Sequence, residues 1–356
     1  MKLLVAGGGT GGHVFPALAV AREWLSRDVK REVVFVGTQR GMEAKLVPQA
    51  GLPLETIRVA GLKGIGGMRL LRNVTQLLPA FWDSAAVLRR HNFSAAFGMG
   101  GYVAGPVLLA AAWSGLPSVI FEPNAQPGFT NRVLAEMVTR VATANEEGAL
   151  RLGSRAVVTG CPVRPEFFAA PPREHTAPFR ILITGGSQGA LTINRAVVDA
   201  LDLLAVRRGA LAIVHQTGDR DYNAVRTAYA RRELQADVQP FLFNMAEQFA
   251  RADLIVCRSG AITVAEVAAA GRAAIFIPFA AATDSHQLRN AQVLERGGAA
   301  RVIPESELTA ERLAREVFAL LDEPGRLRQM EERARAFARP RAAAAIVDLI
   351  EEVARR

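Results

Sequence analysis

The sequence is poor in the residues that define several large classes of protein. It holds only two cysteines in 356 residues, too few for a disulfide framework and not spaced as a metal site. Aromatic residues make up 6% of the chain and no nucleic-acid-binding module is recognisable, so nucleic acid is not an expected partner. Hydrophobic residues make up 50%, which excludes a disordered chain and suffices for two folded domains.

Long uninterrupted apolar runs are also lacking. Residues 93–121 carry no charge, but seven glycines and prolines divide them into short pieces. A membrane-spanning helix needs about 20 continuous apolar residues, so we expect a strand, a glycine loop, a buried helix over 107–113 and a further strand instead. Met1 and Lys2 lead directly into a strand pattern, so no signal peptide is predicted and a reducing cytoplasm is the expected compartment.

The positive charge is unevenly distributed. The net charge is +9, and residues 1–160, with 17 basic and 10 acidic residues, carry +7 of it. One segment combines apolar side chains with a single acid, Asp83, and with the cations Arg58, Lys63, Arg69, Arg72, Arg89 and Arg90. Two interpretations stay open: a solvated face over a core helix, or an apolar patch that docks on an anionic membrane through its cationic rim.

Strand and helix patterns alternate along nearly the whole chain, which predicts an α/β fold with doubly wound parallel sheets. Strands are predicted at residues 2–6, 32–37, 54–59, 95–98, 118–122, 156–159, 180–184, 211–216, 237–241, 254–258, 274–278 and 300–303. Helices are predicted at 262–270 and 287–296 among others, and a domain boundary is expected within the proline-rich residues 160–165.

Two strands are followed by the same kind of glycine turn. Residues 3–6 lead into Gly-Gly-Gly-Thr-Gly-Gly-His at 7–13, and residues 181–184 lead into Gly-Gly-Ser-Gln-Gly-Ala at 185–190. A helix pattern follows each turn, and this arrangement gathers backbone N–H groups and a positive helix end where an anionic phosphate can bind. Two copies predict two nucleotide-type domains that face each other across a cleft.

The first glycine turn admits two interpretations. Gly7, Gly9 and Gly12 satisfy the dinucleotide spacing G-x-G-x-x-G, but the second strand ends without the acid that binds ribose in nicotinamide-dependent oxidoreductases. His13 lies where the loop becomes a helix, and a helix start keeps an imidazole neutral, as a general base requires. The structural alternative is a histidine that only caps or buttresses the helix.

The second half offers two acidic candidates. Glu266 lies about one turn into the helix that follows Cys257-Arg258-Ser259-Gly260. A carboxylate at this position can accept hydrogen bonds from ribose hydroxyls. The alternative is a first-turn glutamate that is only stabilised by the helix dipole. Asp219 and Asp221 could hold a divalent metal against a diphosphate, but a helix N-cap is the favoured interpretation because no third oxygen ligand accompanies them.

Collinear motifs over almost the whole chain resemble the MurG family of peptidoglycan glycosyltransferases. These motifs are GGTGGHVFP at 8–16, GMGGY at 98–102, FEPN at 121–124, PVR at 162–164, GGSQGA at 185–190, CRSGA at 257–261 and HQLRNA at 286–291. The resemblance implies a GT-B fold of two Rossmann-like domains, residues 1–162 and 163–339, with residues 340–356 packing back on the first. It also implies inverting transfer of N-acetylglucosamine, with no cofactor and no metal-binding acid pair.

The resemblance also implies roles for individual residues. Ser187 and Arg164 would contact the donor diphosphate, and Glu266 the ribose. The backbone of Leu242 would contact uracil, and Gln287 and Asn124 would hold the sugar. The nucleotide would be lined by Ala261, Ile262, Thr263, Val264 and Ala265, while Thr10, Gly11 and Gly12 would close on the donor. His13 would be the catalytic base, with Tyr102 or Glu122 as the next candidates.

The family implies the partners as well. The donor would be UDP-N-acetylglucosamine, and the acceptor the lipid-linked muramoyl-pentapeptide called lipid I, which becomes lipid II. The enzyme would lie peripherally on the cytoplasmic face of the cell membrane, against an anionic surface and beside other cell-wall synthesis proteins. Three alternatives remain at this point: a glycolipid glycosyltransferase of the same fold with another acceptor, a nicotinamide-dependent oxidoreductase, or a nucleotide-sugar-binding scaffold.

Overall fold

The computed structural model describes residues 1–9, 11–59, 67–282 and 285–355, with side chains described except at 67–77. The chain forms two compact units. Unit 1 comprises Met1–Arg164 together with Arg339–Arg356, and unit 2 comprises Pro165–Ala338. Unit 2 is therefore one continuous segment, whereas unit 1 is built from two.

Unit 1 contains a parallel sheet of seven strands over its described residues, in the order β3-β2-β1-β4-β5-β6-β7. The strands are β1 (Lys2–Ala6), β2 (Glu32–Gly37), β3 (Leu54–Thr56), β4 (Ala95–Gly98), β5 (Ser118–Glu122), β6 (Arg140–Thr143) and β7 (Ala156–Val158). The helices are α1 (Gly11–Ser26), α2 (Glu43–Gln49), α3 (Gly67–Arg90), α4 (Gly101–Trp113), α5 (Phe129–Ala135), α6 (Glu146–Leu152) and, from the second segment, α15 (Ala342–Ala354). The order reverses between β1 and β4, which is the switch point where doubly wound sheets bind ligands.

Unit 2 repeats this plan. Its described part holds six parallel strands in the order β10-β9-β8-β11-β12-β13. The strands are β8 (Phe179–Thr184), β9 (Leu211–Gln216), β10 (Ala236–Gln239), β11 (Leu254–Cys257), β12 (Ala274–Phe276) and β13 (Ala300–Val302). The helices are α7 (Pro165–Phe168), α8 (Leu191–Ala205), α9 (Tyr222–Arg231), α10 (Met245–Arg251), α11 (Ala261–Ala270), α12 (His286–Arg296), α13 (Ala310–Leu321) and α14 (Pro324–Ala336).

Two details of the sequence prediction were wrong. The strand β6 was missed, because it is four residues long and only its central Val141 and Ala142 are apolar and buried. Helix α4 begins at Gly101 rather than at residue 107, and it includes Pro106, which reads as a helix breaker. Within the described ranges, no helix is both long and apolar enough to cross a membrane.

Helix α15 completes the core of unit 1. Its residues Ile346, Ile350 and Val353 are fully buried. On its polar side, Arg27, the residue after α1, binds the carboxylates of Asp348 at 2.6 Å and Glu351 at 2.9 Å. The helix is thus both packed into unit 1 and held by charge-assisted hydrogen bonds, which are stronger than neutral ones.

A buried carboxylate fastens the start of unit 2. Asp253 is fully buried between α10 and β11, and it accepts hydrogen bonds from Arg173 at 3.0 Å and from His175 Nδ1 at 2.9 Å. The Arg180 backbone N–H donates to the same carboxylate at 2.7 Å. The carboxylates of Asp253 and Glu331 raise the pKa of His175 to about 9, so the imidazole is charged at neutral pH and the buried charges are paired. The hydrogen bonds to Asp253 fix the segment that leads into β8.

Candidate active site

The glycine turn of unit 1 lies between β1 and α1. Gly9 has a φ of +90°, which favours glycine, and an added Cβ there would lie 2.8 Å from the ring of Tyr102. Gly11 and Gly12 begin α1, so their backbone N–H groups lie in its first turn, where they have no helical partner. Anion binding by this turn stays a prediction. Thr10, predicted to contact the donor, lies outside the described residues.

His13 lies in the first turn of α1. Its ring packs against Gly101, where an added Cβ would be 3.3 Å from Cε1. Burial lowers the pKa of His13, while a hydrogen bond to the Gly8 backbone and the charge of Glu43 act in the opposite direction. The imidazole is therefore neutral at physiological pH. Burial, rather than the helix N-terminus that the sequence suggested, is the largest cause of this neutrality.

Glu122 organises the loop that follows β5. It is 1% exposed and accepts hydrogen bonds from the backbone of Asn124 at 2.8 Å and Gly128 at 3.1 Å. The side-chain amides of Asn124 and Asn131 also donate to it, each at 2.9 Å. Burial raises the pKa of Glu122, and these four donors oppose that rise. Because its carboxylate holds Asn124 in place, Glu122 is poorly suited to act as the base.

Arg164 closes the main segment of unit 1. Its guanidinium lies over the ring of Phe15 in α1, with Cζ 5.2 Å from the ring centroid. Stacking on an aromatic face orients a guanidinium. The N–H groups lie in the plane of the guanidinium, so they can still donate hydrogen bonds. Arg164 thus lies beside the helix that carries Gly11, Gly12 and His13.

The glycine turn of unit 2 is fixed by the neighbouring strand β9. Gln216 donates from Nε2 to the Gly186 carbonyl at 3.1 Å, and Thr184 Oγ1 accepts from the Gly186 N–H at 3.2 Å. Gly189 has a φ of +73°, and an added Cβ would lie 1.8 Å from the Thr217 carbonyl oxygen. Ser187, at the centre of this turn, is exposed. The turn presents Ser187 on a rigid backbone.

Helix α11 begins at Ala261, at the carboxyl end of β11. Ala261, Ile262, Thr263 and Ala265 are partly exposed, while Val264 is 9% exposed. Glu266 follows in the second turn, also partly exposed. Burial raises the pKa of Cys257 at the end of β11, and the charge of Glu266 acts in the same direction. Glu266 is within reach of solvent.

Two further predicted residues lie beyond the carboxyl ends of strands of the same sheet. Gln287, in the first turn of α12, accepts from the Phe279 backbone N–H through Oε1 at 3.0 Å. The same loop is held by Glu305, which accepts from the Ala280 N–H at 2.8 Å and pairs with Arg258 at 2.6 Å. Leu242 is 7% exposed, between β10 and α10.

Asp221 occupies the N-cap position of α9, but its side chain makes no cap hydrogen bond. It accepts instead from Asn194 Nδ2 at 2.7 Å. Among the residues that the structure describes, no group of three or more histidine, cysteine, aspartate or glutamate side chains is arranged to hold a metal ion.

Three polar residues of these sites were missed by the sequence analysis: Glu43, Gln216 and Glu305. Each binds a loop that comes from another part of the chain. Glu43 accepts from the Gly9 N–H, Gln216 donates to the Gly186 carbonyl, and Glu305 accepts from the Ala280 N–H. The available signal was weak. For Gln216 it was a polar residue at the end of an apolar strand, and Glu43 and Glu305 lie in polar stretches of sequence without a distinguishing pattern.

Two Rossmann-like units, each with a glycine turn between its first strand and the following helix, define a GT-B glycosyltransferase. Residues 3–143 match the glycosyltransferase family 28 N-terminal domain, and residues 180–348 match the family 28 C-terminal domain. The chain belongs to glycosyltransferase family 28 and, within it, to the MurG family. This outcome confirms both the predicted fold class and the resemblance.

The relatives that support this assignment match along nearly their whole length. Proteins from Myxococcus xanthus and Solibacter usitatus are 46% and 47% identical, covering 98% and 99% of this chain and 92% and 96% of their own. Both are named UDP-N-acetylglucosamine--N-acetylmuramyl-(pentapeptide) pyrophosphoryl-undecaprenol N-acetylglucosamine transferase. The crystal structure of Acinetobacter baumannii MurG superimposes with a TM-score of 0.81 at 36% identity, covering 99% of both chains.

Proposed function

We propose that this enzyme transfers N-acetylglucosamine from UDP-N-acetylglucosamine to undecaprenyl-pyrophosphoryl-N-acetylmuramoyl-pentapeptide, converting lipid I into lipid II. The observation that carries the proposal is the identity of 46–47% over nearly full length to transferases named for this reaction. The exposed Ser187 and the partly exposed Glu266 and Asn124 are consistent with it, because the resemblance assigns each a substrate contact and each is accessible to solvent.

Unit 2 would bind the donor. Ser187 and the backbone N–H groups of its glycine turn would bind the diphosphate, together with Arg164 of unit 1. The carboxylate of Glu266 would accept from the ribose hydroxyls, and the first turn of α11 would line the nucleotide through residues 261–265. Uracil would meet the backbone of Leu242, and Gln287 and Asn124 would hold the sugar. These groups stabilise the negative charge that UDP gains as it leaves.

Unit 1 would bind the acceptor and supply the base. The acceptor hydroxyl attacks the anomeric carbon of the donor while its proton passes to the neutral imidazole of His13. The bond from the anomeric carbon to the diphosphate oxygen breaks, and its electron pair leaves with UDP, which inverts the anomeric centre. In a neutral histidine, one ring nitrogen donates its N–H to a carbonyl and the other carries a free lone pair. That lone pair is what a base needs.

The reaction is tested by transfer of labelled N-acetylglucosamine from its UDP donor to a lipid I analogue. We expect formation of a disaccharide lipid, and no comparable product with lipid-linked acceptors that lack the muramoyl-peptide. Equal or faster transfer to a different glycolipid would establish the alternative of a same-fold transferase with another acceptor. UDP-sugar binding without any turnover would establish a scaffold, and bound-cofactor absorbance near 340 nm would point to an oxidoreductase.

Turnover is expected to be independent of divalent metal. The diphosphate charge is met by helix N-termini, glycine-turn N–H groups and Arg164, which together can replace a cation. Initial rates should be the same in the presence of EDTA and of added magnesium or manganese. Loss of activity in chelator and recovery with either metal would contradict this prediction and assign a role to Asp219 and Asp221.

We propose in addition that unit 1 docks peripherally on the cytoplasmic face of the cell membrane. A groove of about 790 Å³ runs between α3 and α4, lined in part by Phe81, Trp82 and Trp113. Trp82 is 61% exposed and Trp113 is 84% exposed, while Arg89 at the end of α3 is also exposed. Apolar side chains beside cations favour insertion into an anionic bilayer surface.

The predicted cationic rim is only partly supported by the described side chains. Arg58 is bound to Asp83 at 2.7 Å, and Arg90 to Glu55 at 3.0 Å, so both charges are partly neutralised. Lys63, Arg69 and Arg72 lie outside the described residues and side chains. The apolar groove therefore contributes most to the proposed docking, and other cell-wall synthesis proteins are the further partners that the family implies.

Replacing Phe81 and Trp82 together by serine is expected to reduce binding to vesicles that contain anionic lipid, because two large apolar side chains are lost from the groove. Affinity for UDP should not change. The matched control is Leu150→Ser on α6, since Leu150 is 85% exposed on the same unit but away from the groove lining. Equal co-sedimentation of wild type and the double variant would remove this segment from the membrane proposal.

A further inference from the structure

Glu43 is a fully buried carboxylate at the start of α2, beside the glycine turn of unit 1. Its Oε2 accepts a hydrogen bond from the Gly9 N–H at 2.8 Å. Its Oε1 accepts from the Thr38 N–H at 2.9 Å and from the Thr38 hydroxyl at 2.7 Å. A carboxylate removed from water is costly unless such donors surround it, so this site is built to hold a negative charge.

Three glycines make the space for this carboxylate. An added Cβ at Gly8 would lie 2.4 Å from Oε1, and one at Gly41 would lie 2.0 Å from Oε2. At Gly37, an added Cβ would lie 2.4 Å from Cγ of the same side chain. None of these distances is tolerated by a real side chain, so the three glycines and Glu43 form one fitted arrangement. We call it the Glu43 cage.

The cage and His13 meet at the same short stretch of backbone. Glu43 contacts Gly8 and binds the Gly9 N–H, while the ring of His13 is hydrogen-bonded to the Gly8 backbone. Glu43 therefore fixes the backbone that orients the imidazole. The charge of Glu43 also acts on the imidazole by raising its pKa, and burial strengthens this attraction by lowering the local dielectric.

We propose that Glu43 is a positioning residue for His13, holding the Gly8–Gly9 backbone in place and stabilising the positive charge that the imidazole gains when it takes the acceptor proton. The proposal rests on the assignment of His13 as the base. Glu43 takes no proton itself and touches no substrate. The proton moves from the acceptor oxygen to a ring nitrogen of His13, and no bond to Glu43 forms or breaks.

Other ionisable groups surround this loop. Tyr102 of α4 lies against Gly9, and its pKa is raised by burial and by the charge of Glu43, so it is neutral. The guanidinium of Arg164 lies over Phe15 on the next turn of α1. Among the described residues, Glu43 is the charged group that acts on the pKa of His13. Removing this charge should therefore change the titration of His13 in one direction only.

The test is Glu43→Gln, measured by NMR titration of histidine-labelled protein without substrates and by single-turnover transfer across pH. The His13 signal is identified among five histidines by its loss in His13→Asn. We expect the pKa of His13 to fall by about 0.5 to 1, because the charge that favours imidazolium is gone. The plateau rate should fall by about threefold to at most tenfold, since a change of one in pKa corresponds to a factor of ten in basicity and the rate follows basicity at most in full.

Three variants separate charge from packing. Glu43→Asp keeps the charge and should keep the pKa of His13 closer to wild type than Glu43→Gln does. Thr38→Val removes one hydroxyl donor from the cage but leaves its charge, so it should affect the rate less than Glu43→Gln. Glu136→Gln, an exposed acid after α5, removes the same charge elsewhere on unit 1 and should change neither measurement.

Several outcomes would overturn the proposal. A rise of the His13 pKa toward 6.5 in Glu43→Gln would mean that the loop had opened to water and that Glu43 is only structural. An unchanged pKa with an unchanged rate would show that the charge does not reach His13, and equal losses in Thr38→Val and Glu43→Gln would assign the effect to packing. The NMR arm does not depend on turnover, so failure of the proposed reaction would be recognised separately.

Discussion

His13→Ala is expected to lower the rate of the chemical step by about 10²–10⁴, the range that general-base assistance provides. The imidazole is neutral because burial lowers its pKa, and its orientation is fixed by the Gly8 backbone and by Gly101. Donor affinity should change much less, because UDP is bound chiefly by unit 2 in the proposed mechanism. Single-turnover transfer at saturating substrates measures the step directly, and calorimetry with UDP measures the affinity.

His13→Asn serves as the second variant, because it retains a polar group near the Gly8 carbonyl but provides no base. It should lose as much rate as His13→Ala. His91→Ala is the matched control, since His91 follows α3 on the same unit and pairs with Glu55. Near-normal transfer by both His13 variants would end the assignment of His13 as the base, and Tyr102 would be the next candidate because Glu122 is committed to its loop. A parallel fall in donor and acceptor affinity would assign His13 a buttressing role.

Glu266→Ala is expected to weaken binding of UDP by about 1.5–3 kcal/mol, the range for hydrogen bonds to a charged group. This corresponds to an affinity lower by about 10- to 150-fold. The carboxylate would accept from both ribose hydroxyls, so the loss should be much smaller for a donor analogue that lacks them. Calorimetric titration with UDP and with the dideoxyribose analogue measures the difference.

Glu332→Ala provides the control for net charge, since Glu332 is exposed on α14 of the same unit. Its UDP affinity should match that of the wild type. Unchanged UDP affinity in Glu266→Ala would show that the ribose is bound elsewhere and would withdraw the nucleotide assignment for the first turns of α11. Equal losses for UDP and the analogue would show that Glu266 supports the helix start rather than the ribose.

The sequence predicted most strands of both sheets because parallel strands are buried on both faces and read as short apolar runs. Residues 2–6 and 211–216 illustrate this, and both predictions are confirmed to the residue. The strand Arg140–Thr143 was missed because its outer residues are polar and its apolar stretch is only two residues long. Where a strand begins and ends depends on the strands with which it pairs, and a local sequence pattern gives no information about them.

The glycine turns were predictable because their chemistry is local, whereas the residues that rigidify them were not. Gln216 binds the carbonyl of Gly186, thirty residues earlier, and Glu43 binds the Gly9 N–H, thirty-four residues earlier. Both pairs form only when adjacent strands bring their carboxyl ends to one edge of a sheet. A buried acid such as Glu43 is indistinguishable in sequence from the solvated acids that often begin helices.

The two-segment construction of unit 1 has a consequence for biosynthesis. The fully buried Ile346, Ile350 and Val353 of α15 reach the core of unit 1 only after all of Pro165–Ala338 has left the ribosome. Unit 2, in contrast, is contiguous and can fold as soon as its own residues have emerged, since domains generally fold as units during synthesis. The nascent chain thus carries an unfinished apolar surface on unit 1 for the time needed to translate 174 residues, which makes unit 1 the part more prone to aggregation during synthesis.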